Sequence, residues 1–253
     1  MKIGIPVYGG DVRTSINTAY IEYVKLSELE PILITEFNDV DLMVQLCDGI
    51  LLPGGIDIEP TWYGEENEAS DACDPDKDDF ERLVMHTAIK QHKPVFGICR
   101  GFQLMVREFL HEFKEQLLDL NFIQHISGHS LAASRNAKRS TPTHAIAIVP
   151  QKLYGLPQEV HKGATKIFVN SMHHQALVAA ENSLNVHINA DNRISCIAGS
   201  SIGIPKEWKN HIVVEAADII FHGSKLRGVQ WHPEELKDTF LLKKFFKGEG
   251  ADG

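Results

Sequence analysis

The sequence predicts an α/β fold, a mostly parallel sheet flanked by helices, with an additional antiparallel β portion in the C-terminal half. Three observations predict it. Short β-branched runs alternate with segments of helical period through the first hundred residues, as expected of βαβ units. Two of these runs end in glycine-containing turns, Pro53-Gly54-Gly55 and Gly97-Ile98-Cys99-Arg100-Gly101, and ligands of such sheets gather at the carboxyl ends of strands. Beyond residue 143 the apolar runs are short and separated by polar turns, which suits antiparallel strands.

The elements follow in order. Residues 2–7 form an opening strand, and residues 18–29 a helix whose Ala19, Tyr23, Leu26 and Leu29 share one face. Residues 31–35 are a strand, 40–46 a short helix, and 49–52 a strand running into the Pro53 turn. The acidic stretch 71–79 leads into a helix over 80–91. Its Asp74, Asp76, Asp78 and Asp79 are best explained by helix capping and solvation, because the glycine and glutamate of a calcium loop are not at the required spacing. After the strand at 94–98 the pattern predicts a helix over 101–120 and a polar loop over 121–142 that covers the site. Strands are expected at 145–149, 166–169, 184–189, 194–198, 212–216 and 225–230, and a terminal helix over 235–246.

Cys99 is the leading candidate nucleophile. Glycines two residues to either side allow a sharp strand-to-helix turn that exposes the central side chain. A thiol at a helix mouth is also favoured as thiolate by the dipole. Taken alone, Cys99 is more simply a buried core cysteine. A second motif, Gly228-Val-Gln-Trp-His232-Pro-Glu234, shifts the balance. His232 and Glu234 are two apart in a segment expected to be extended, so both point to one side, and the carboxylate can orient the imidazole toward a thiol.

Composition narrows the remaining classes. The 253 residues, 43% hydrophobic, suit one domain spanning 1–253. A net charge of -9 excludes the basic footprint of nucleic-acid binding. Four dispersed cysteines, no secretory-type opening and no membrane-length apolar run point to a reducing, cytoplasmic setting without membrane partners. Thirteen histidines carry no HExxH or Cys/His ladder, so neither a metal site nor a cofactor is expected.

Four ordered stretches resemble a known family: Pro53-Gly-Gly-Ile-Asp57-Ile-Glu-Pro60 with Tyr63-Gly-Glu65, Lys93 to Gly101, Asn170-Ser-Met-His-His-Gln175, and Gly228 to Glu234. Together they are similar to class I glutamine amidotransferases, within that group most of all to γ-glutamyl hydrolases of the peptidase C26 type. The resemblance implies a flavodoxin-like sheet and a Cys99, His232, Glu234 triad. It implies an oxyanion hole from the N–H groups of Gly55 and Arg100, with Gln103 and the backbone of Ser171, Met172 and His173 holding the glutamyl group. The implied substrate is a small γ-glutamyl amide, of the γ-glutamyl-γ-aminobutyrate kind, cleaved through a glutamyl thioester. A homodimer is compatible with this reading. The alternatives are a glutaminase component feeding ammonia to a synthetase partner, and a non-catalytic binding protein on the same fold. The chain departs from the family pattern at residues 108–116, where a Gly-Gly-Thr stretch is usual, and at residues 200–222, which exceed a short hairpin.

Overall fold

The computed structural model describes all residues except 10–12, 118–119, 128, 130–137, 149–158, 162–163, 181–184, 202–207, 209 and 249–253. The first half alternates as expected: β1 (Lys2–Val7), α1 (Thr18–Leu26), β2 (Glu30–Thr35), α2 (Val40–Gln45), β3 (Gly49–Leu52), α3 (Pro75–Lys90), β4 (Val95–Ile98) and α4 (Arg100–Glu112). A 3-10 turn at Pro60–Tyr63 lies between β3 and α3. The second half carries β5 (Leu120–Ile123), β6 (His144–Ile148), β7 (Glu159–His161), β8 (Ala164–Val169), β9 (Ala176–Ala180), β10 (Asn185–Asn189), β11 (Asn192–Ser200), β12 (His211–Phe221) and β13 (Ser224–Val229). It closes with α5 (Pro233–Leu236), α6 (Phe240–Leu242) and a π turn at Lys243–Lys247.

Among the described residues the strands join one sheet in which β2-β1-β3-β4-β13 are neighbours, all parallel. This is the flavodoxin-like order, whose switch point between the first and third strands opens a crevice at the carboxyl ends. From β13 the sheet continues antiparallel through β12, β11, β6, β8 and β7, with β10 on β11, and with β9 on β12 and β5 on β9.

Strand alternation divides the core. Ile50 and Leu52 of β3 face a layer with Val44, Val84 and Phe102 from α2, α3 and α4. Leu51 faces the other layer with Tyr20, Tyr23 and Val24 of α1 and the C-terminal Leu241 and Phe245. Each face of the parallel strands is thus covered by helices, as their continuous burial requires. Asp74 caps α3 by accepting the N–H of Lys77, with Pro75 at the first helical position.

Several expectations are corrected. The helix expected over 101–120 ends at Glu112 and is followed by a 3-10 turn at Lys114–Gln116; residues 118–119 lie outside the described residues, and Leu120 opens β5. The loop expected over 121–142 therefore begins as a strand; its residues 128 and 130–137 lie outside the described residues. The last strand is parallel to β4 rather than wholly antiparallel. The terminal helix is broken at Lys237, whose φ of 56° stops α5. Of the 200–222 stretch, 202–207 and 209 lie outside the described residues, and most of the rest is β12. Strands β5, β7 and β9 were not foreseen.

Candidate active site

β4 meets α4 at Cys99, whose φ of 51° and ψ of -109° place a non-glycine residue in a strained conformation. Such strain costs on the order of 1–3 kcal/mol and persists only where the surroundings enforce it. Here they do: the Cys99 N–H donates to the Val229 carbonyl at 2.8 Å, fixing the turn against β13. The flanking glycines are steric requirements. A Cβ on Gly97 would lie 2.7 Å from backbone atoms of Gly101 and Phe102, and one on Gly101 would lie 2.4 Å from the Leu52 carbonyl oxygen. The first N–H groups of α4 have no carbonyl within the helix to bond, and they start at Arg100, directly after the thiol.

His232 follows β13 and precedes α5. Its Nδ1 is 2.7 Å from Glu234 Oε1, and the Cys99 thiol, which accepts from Gln230 Nε2 at 3.7 Å, lines the same cavity as the ring. The contact arises differently from the strand alternation expected. His232 is the N-cap of α5, and Pro233 starts the helical turn that brings Glu234 back toward it. Asn170 holds the histidine backbone from both sides, accepting its N–H at 3.1 Å and donating to its carbonyl at 3.0 Å. Burial opposes a charge on this ring, but Cys99 and Glu234 outweigh it and raise His232 to about 10.

Cys99 and His232 open onto a cavity of about 460 Å³ at the carboxyl ends of β1, β3 and β4, lined also by Tyr20, Gly54, Gly55, Lys77, Arg139 and Met172. The Gly54 N–H donates to the Tyr20 hydroxyl at 3.0 Å. Burial, reinforced by the charges of Glu234 and Cys99, raises the Tyr20 pKa well above its ordinary value, so the phenol stays neutral. Gly55 lies against the Arg100 side chain, since a Cβ there would be 3.2 Å from Arg100 Cδ.

The Arg100 guanidinium is fully buried and pairs with both Asp78 and Glu81 of α3. Asp78 also accepts the Glu59 N–H at 3.1 Å. The assignment of Asp78 to capping and solvation is therefore corrected: it is a buried charge partner that ties the loop after β3 to the turn at Cys99. Burial works against the Arg100 charge, but Glu81 and Asp78 overcome it and its pKa rises.

The residues expected to hold substrate are divided. Met172 lines the cavity. Gln103 is buried and donates to the Gln175 carbonyl at 2.9 Å and to Gln230 Oε1 at 3.3 Å. The Ser171 hydroxyl donates to the His129 carbonyl, and His173 Nδ1 is 3.0 Å from the Gln175 carbonyl. Burial lowers His173 to about 3, so its ring is neutral.

The atypical stretch after the turn has a packing role. Glu108 accepts from Arg82 at 2.9 Å and pairs with Arg107, whose guanidinium bonds the Trp62 carbonyl and lies 4.7 Å from the Trp62 ring centroid. The fold also gathers histidines that the sequence scatters. His129 and His173 meet Glu215, and His174 meets Asp57 and Asp71. The expectation of no metal site rested on the absence of local spacing, which cannot register either group. Among the described residues no helix is long and apolar enough to cross a membrane.

The sequence profile of the peptidase C26 family matches residues 6–202, a span that includes Cys99 but ends before His232. A glutamine amidotransferase-like protein of Rickettsia prowazekii is 29% identical over 253 residues, covering 86% of this chain and 81% of the relative. The γ-glutamyl-γ-aminobutyrate hydrolase PuuD of Escherichia coli K12 is 25% identical over 221 residues, covering 86% and 76%. In fold, the chain is similar to a GMP synthase component of Thermoplasma acidophilum, with a TM-score of 0.55 at 15% identity, covering 98% and 92%. It is equally similar to the glutaminase domain of Trypanosoma brucei CTPS, with a TM-score of 0.55 at 14% identity, covering 99% and 95%. A parallel sheet in flavodoxin-like order, a cysteine turn at the end of β4 and a profile match over most of the sequence lead to one conclusion: this chain belongs to the peptidase C26 family.

Proposed function

We propose that the protein is a cysteine-dependent hydrolase that cleaves the γ-glutamyl amide bond of a small γ-glutamyl amine and releases glutamate. The observation that carries this reading is that Cys99 and His232 line one cavity while Glu234 holds the far nitrogen of the His232 ring at 2.7 Å.

Cys99 Sγ attacks the side-chain carbonyl carbon of the substrate, with His232 as its proton acceptor. The carbonyl oxygen becomes an oxyanion, stabilised by the N–H groups of Arg100 and Gly55; one such donor is typically worth about 3 kcal/mol of barrier. The tetrahedral intermediate collapses, the C–N bond breaks, and His232 gives its proton to the departing amine. Water, deprotonated by the same imidazole, then attacks the thioester; glutamate leaves and the thiol regains a proton. Glu234 keeps Nδ1 protonated and Nε2 directed at the sulfur. The Tyr20 hydroxyl occupies the Gly54 N–H, and the next N–H, that of Gly55, is the one assigned to the oxyanion.

Similarity in fold to a glutaminase domain and to a synthase component favours a second reading, a glutaminase that supplies ammonia to a partner. The two separate on a substrate panel with the purified chain alone. Faster glutamate release from γ-glutamyl-γ-aminobutyrate or another γ-glutamyl amine than from glutamine supports the hydrolase. Preference for glutamine, enhanced by a synthetase partner, would replace it with the second reading.

A further inference from the structure

The Tyr20 hydroxyl is half committed. It accepts the Gly54 N–H at 3.0 Å, and the residue is only 4% exposed. A phenol donates as well as accepts, and a buried tyrosine normally has a partner for its proton. Among the described residues no oxygen, nitrogen or sulfur accepts that proton. Burial, with the charges of Glu234 and Cys99, raises the Tyr20 pKa well above its ordinary value, so the proton stays on the oxygen.

Its position brings this proton to the reaction centre. A Cβ added to Gly54 would lie 2.6 Å from Tyr20 Oη, 3.1 Å from His232 Cε1 and 3.4 Å from Cys99 Cβ. The hydroxyl, the base and the nucleophile thus border one small space, and all three residues line the cavity. The helix that carries Tyr20 is tied down on either side of it. Asn17 caps α1 by accepting the Ala19 N–H at 3.0 Å, and the Tyr23 hydroxyl donates to the Asp238 carbonyl at 2.7 Å. The resting thiol takes its hydrogen bond from Gln230 Nε2 at 3.7 Å, which leaves the phenol proton for an incoming group.

We propose that Tyr20 is a catalytic residue, whose O–H donates a hydrogen bond to the oxyanion formed when Cys99 adds to the substrate carbonyl. The inference rests on the hydrolase reading, whose covalent step creates that oxyanion. The carbonyl carbon bonds to Sγ, so its oxygen is carried into the space that the hydroxyl borders. Gly55, assigned as a backbone donor to the same oxygen, directly follows the Gly54 N–H that holds the phenol. Donation from Gly54 polarises the phenol and strengthens its O–H as a donor, and a fixed donor in a water-poor site acts most on charge that develops in the transition state. The proton is shared and not transferred. No bond to it breaks, and His232 still carries the proton from sulfur to the departing amine.

The test compares Tyr20→Phe with wild type on γ-glutamyl-γ-aminobutyrate, using the purified full-length chain. Tyr23→Phe is the control, since it removes a buried hydroxyl of the same helix that is bonded to the Asp238 carbonyl instead. Tyr20→Phe should lower kcat by about 10²-fold, with KM within about threefold of wild type and the pH limbs of kcat/KM unmoved. Alkylation of Cys99 by iodoacetamide forms no oxyanion, so its rate should stay within about twofold. Tyr23→Phe should keep the wild-type kcat. If Tyr20→Phe does not fold, 3,5-difluorotyrosine at position 20 decides: its more acidic phenol should bring in a new falling limb of kcat/KM as the donor ionises, and an unchanged profile overturns the proposal. An unchanged kcat in a folded Tyr20→Phe also overturns it and leaves the hydrolase reading standing. So does alkylation that slows in step with kcat, which would assign the hydroxyl to the thiol, or an equal loss in Tyr23→Phe, which would assign the effect to packing. A wild type that is alkylated at Cys99 yet releases glutamate from no γ-glutamyl amide would overturn the hydrolase reading and this proposal together.

Discussion

The Nδ1 of His232 stands 2.7 Å from Oε1 of Glu234, with both side chains buried and a proline turn between them. The contact leaves Nε2 as the nitrogen for Cys99 and favours charge on the ring. Replacing the carboxylate with an amide keeps the shape but loses the charge and can stabilise the wrong tautomer. Glu234→Gln should lower kcat by about 10²–10⁴-fold with a KM changed only a few-fold, as expected of a group that acts in the transition state. Steady-state kinetics on a γ-glutamyl amide check this; an unchanged kcat would remove Glu234 from the mechanism.

The protonation of His232 gives a pH dependence with a definite sign. Its pKa in the folded protein is raised from 6.5 to about 10, because Cys99 and Glu234 outweigh the cost of burial. A histidine raised on folding contributes stability that is fully present below its unfolded value and disappears as pH climbs through its folded value. The Tm advantage of wild type over His232→Gln should be greatest near pH 6, shrink from about pH 6.5 upward, and vanish above about pH 10. The falling limb of kcat/KM should also lie near pH 10, where the ring loses the proton it gives to the amine. A constant Tm difference across that range would mean that the ring is not charged.

Arg100 is held by Asp78 and Glu81 with no access to water. Removing one partner of a buried pair leaves an uncompensated charge, which typically costs about 3–5 kcal/mol. Asp78→Asn should therefore destabilise by an amount of that order in urea unfolding. It should also reduce kcat, because Asp78 ties the Glu59 N–H and the Gly55 loop to the turn at Cys99. Loss of stability without loss of kcat would confine the triplet to a scaffold role.

Gly101→Ala tests the sterics of the turn. In an ordinary helix this change gains up to about 1 kcal/mol. Here the added Cβ would lie 2.4 Å from the Leu52 carbonyl oxygen, a backbone atom that cannot rotate away. Overpacking of this kind costs about 1–3 kcal/mol or more, so the clash wins and the variant is predicted to be less stable than wild type by thermal unfolding. Equal or greater stability would show that β3 and α4 can separate cheaply.

The parts of this molecule that were legible in the sequence are those written locally. Gly97, Cys99 and Gly101 record a sharp turn within five residues, and β1 to α4 alternate with a period that a single window detects. His232 and Glu234 were paired correctly but for the wrong local reason, since Pro233 starts a helical turn where an extended strand was expected. β9 was missed because Ala176 to Val178 and Ala179 are buried on both faces, so no alternation marks the strand. The helix after Cys99 was drawn too long because Leu117 and Leu120 continue an apolar pattern that belongs to the next turn and strand. Asp78 looked like a surface cap because nothing in its neighbourhood reveals Arg100, 22 positions away. His129, His173 and Glu215 are brought together by the fold from distant parts of the chain and have no spacing that a sequence could display.

The central claim is that Cys99 carries the covalent step. It is tested most directly by glutamate release from γ-glutamyl-γ-aminobutyrate, with wild type and Cys99→Ala purified side by side and shown to share one Tm. Release by wild type and none above background from the variant is the predicted result. Equal release by both would contradict a thioester mechanism at this cysteine.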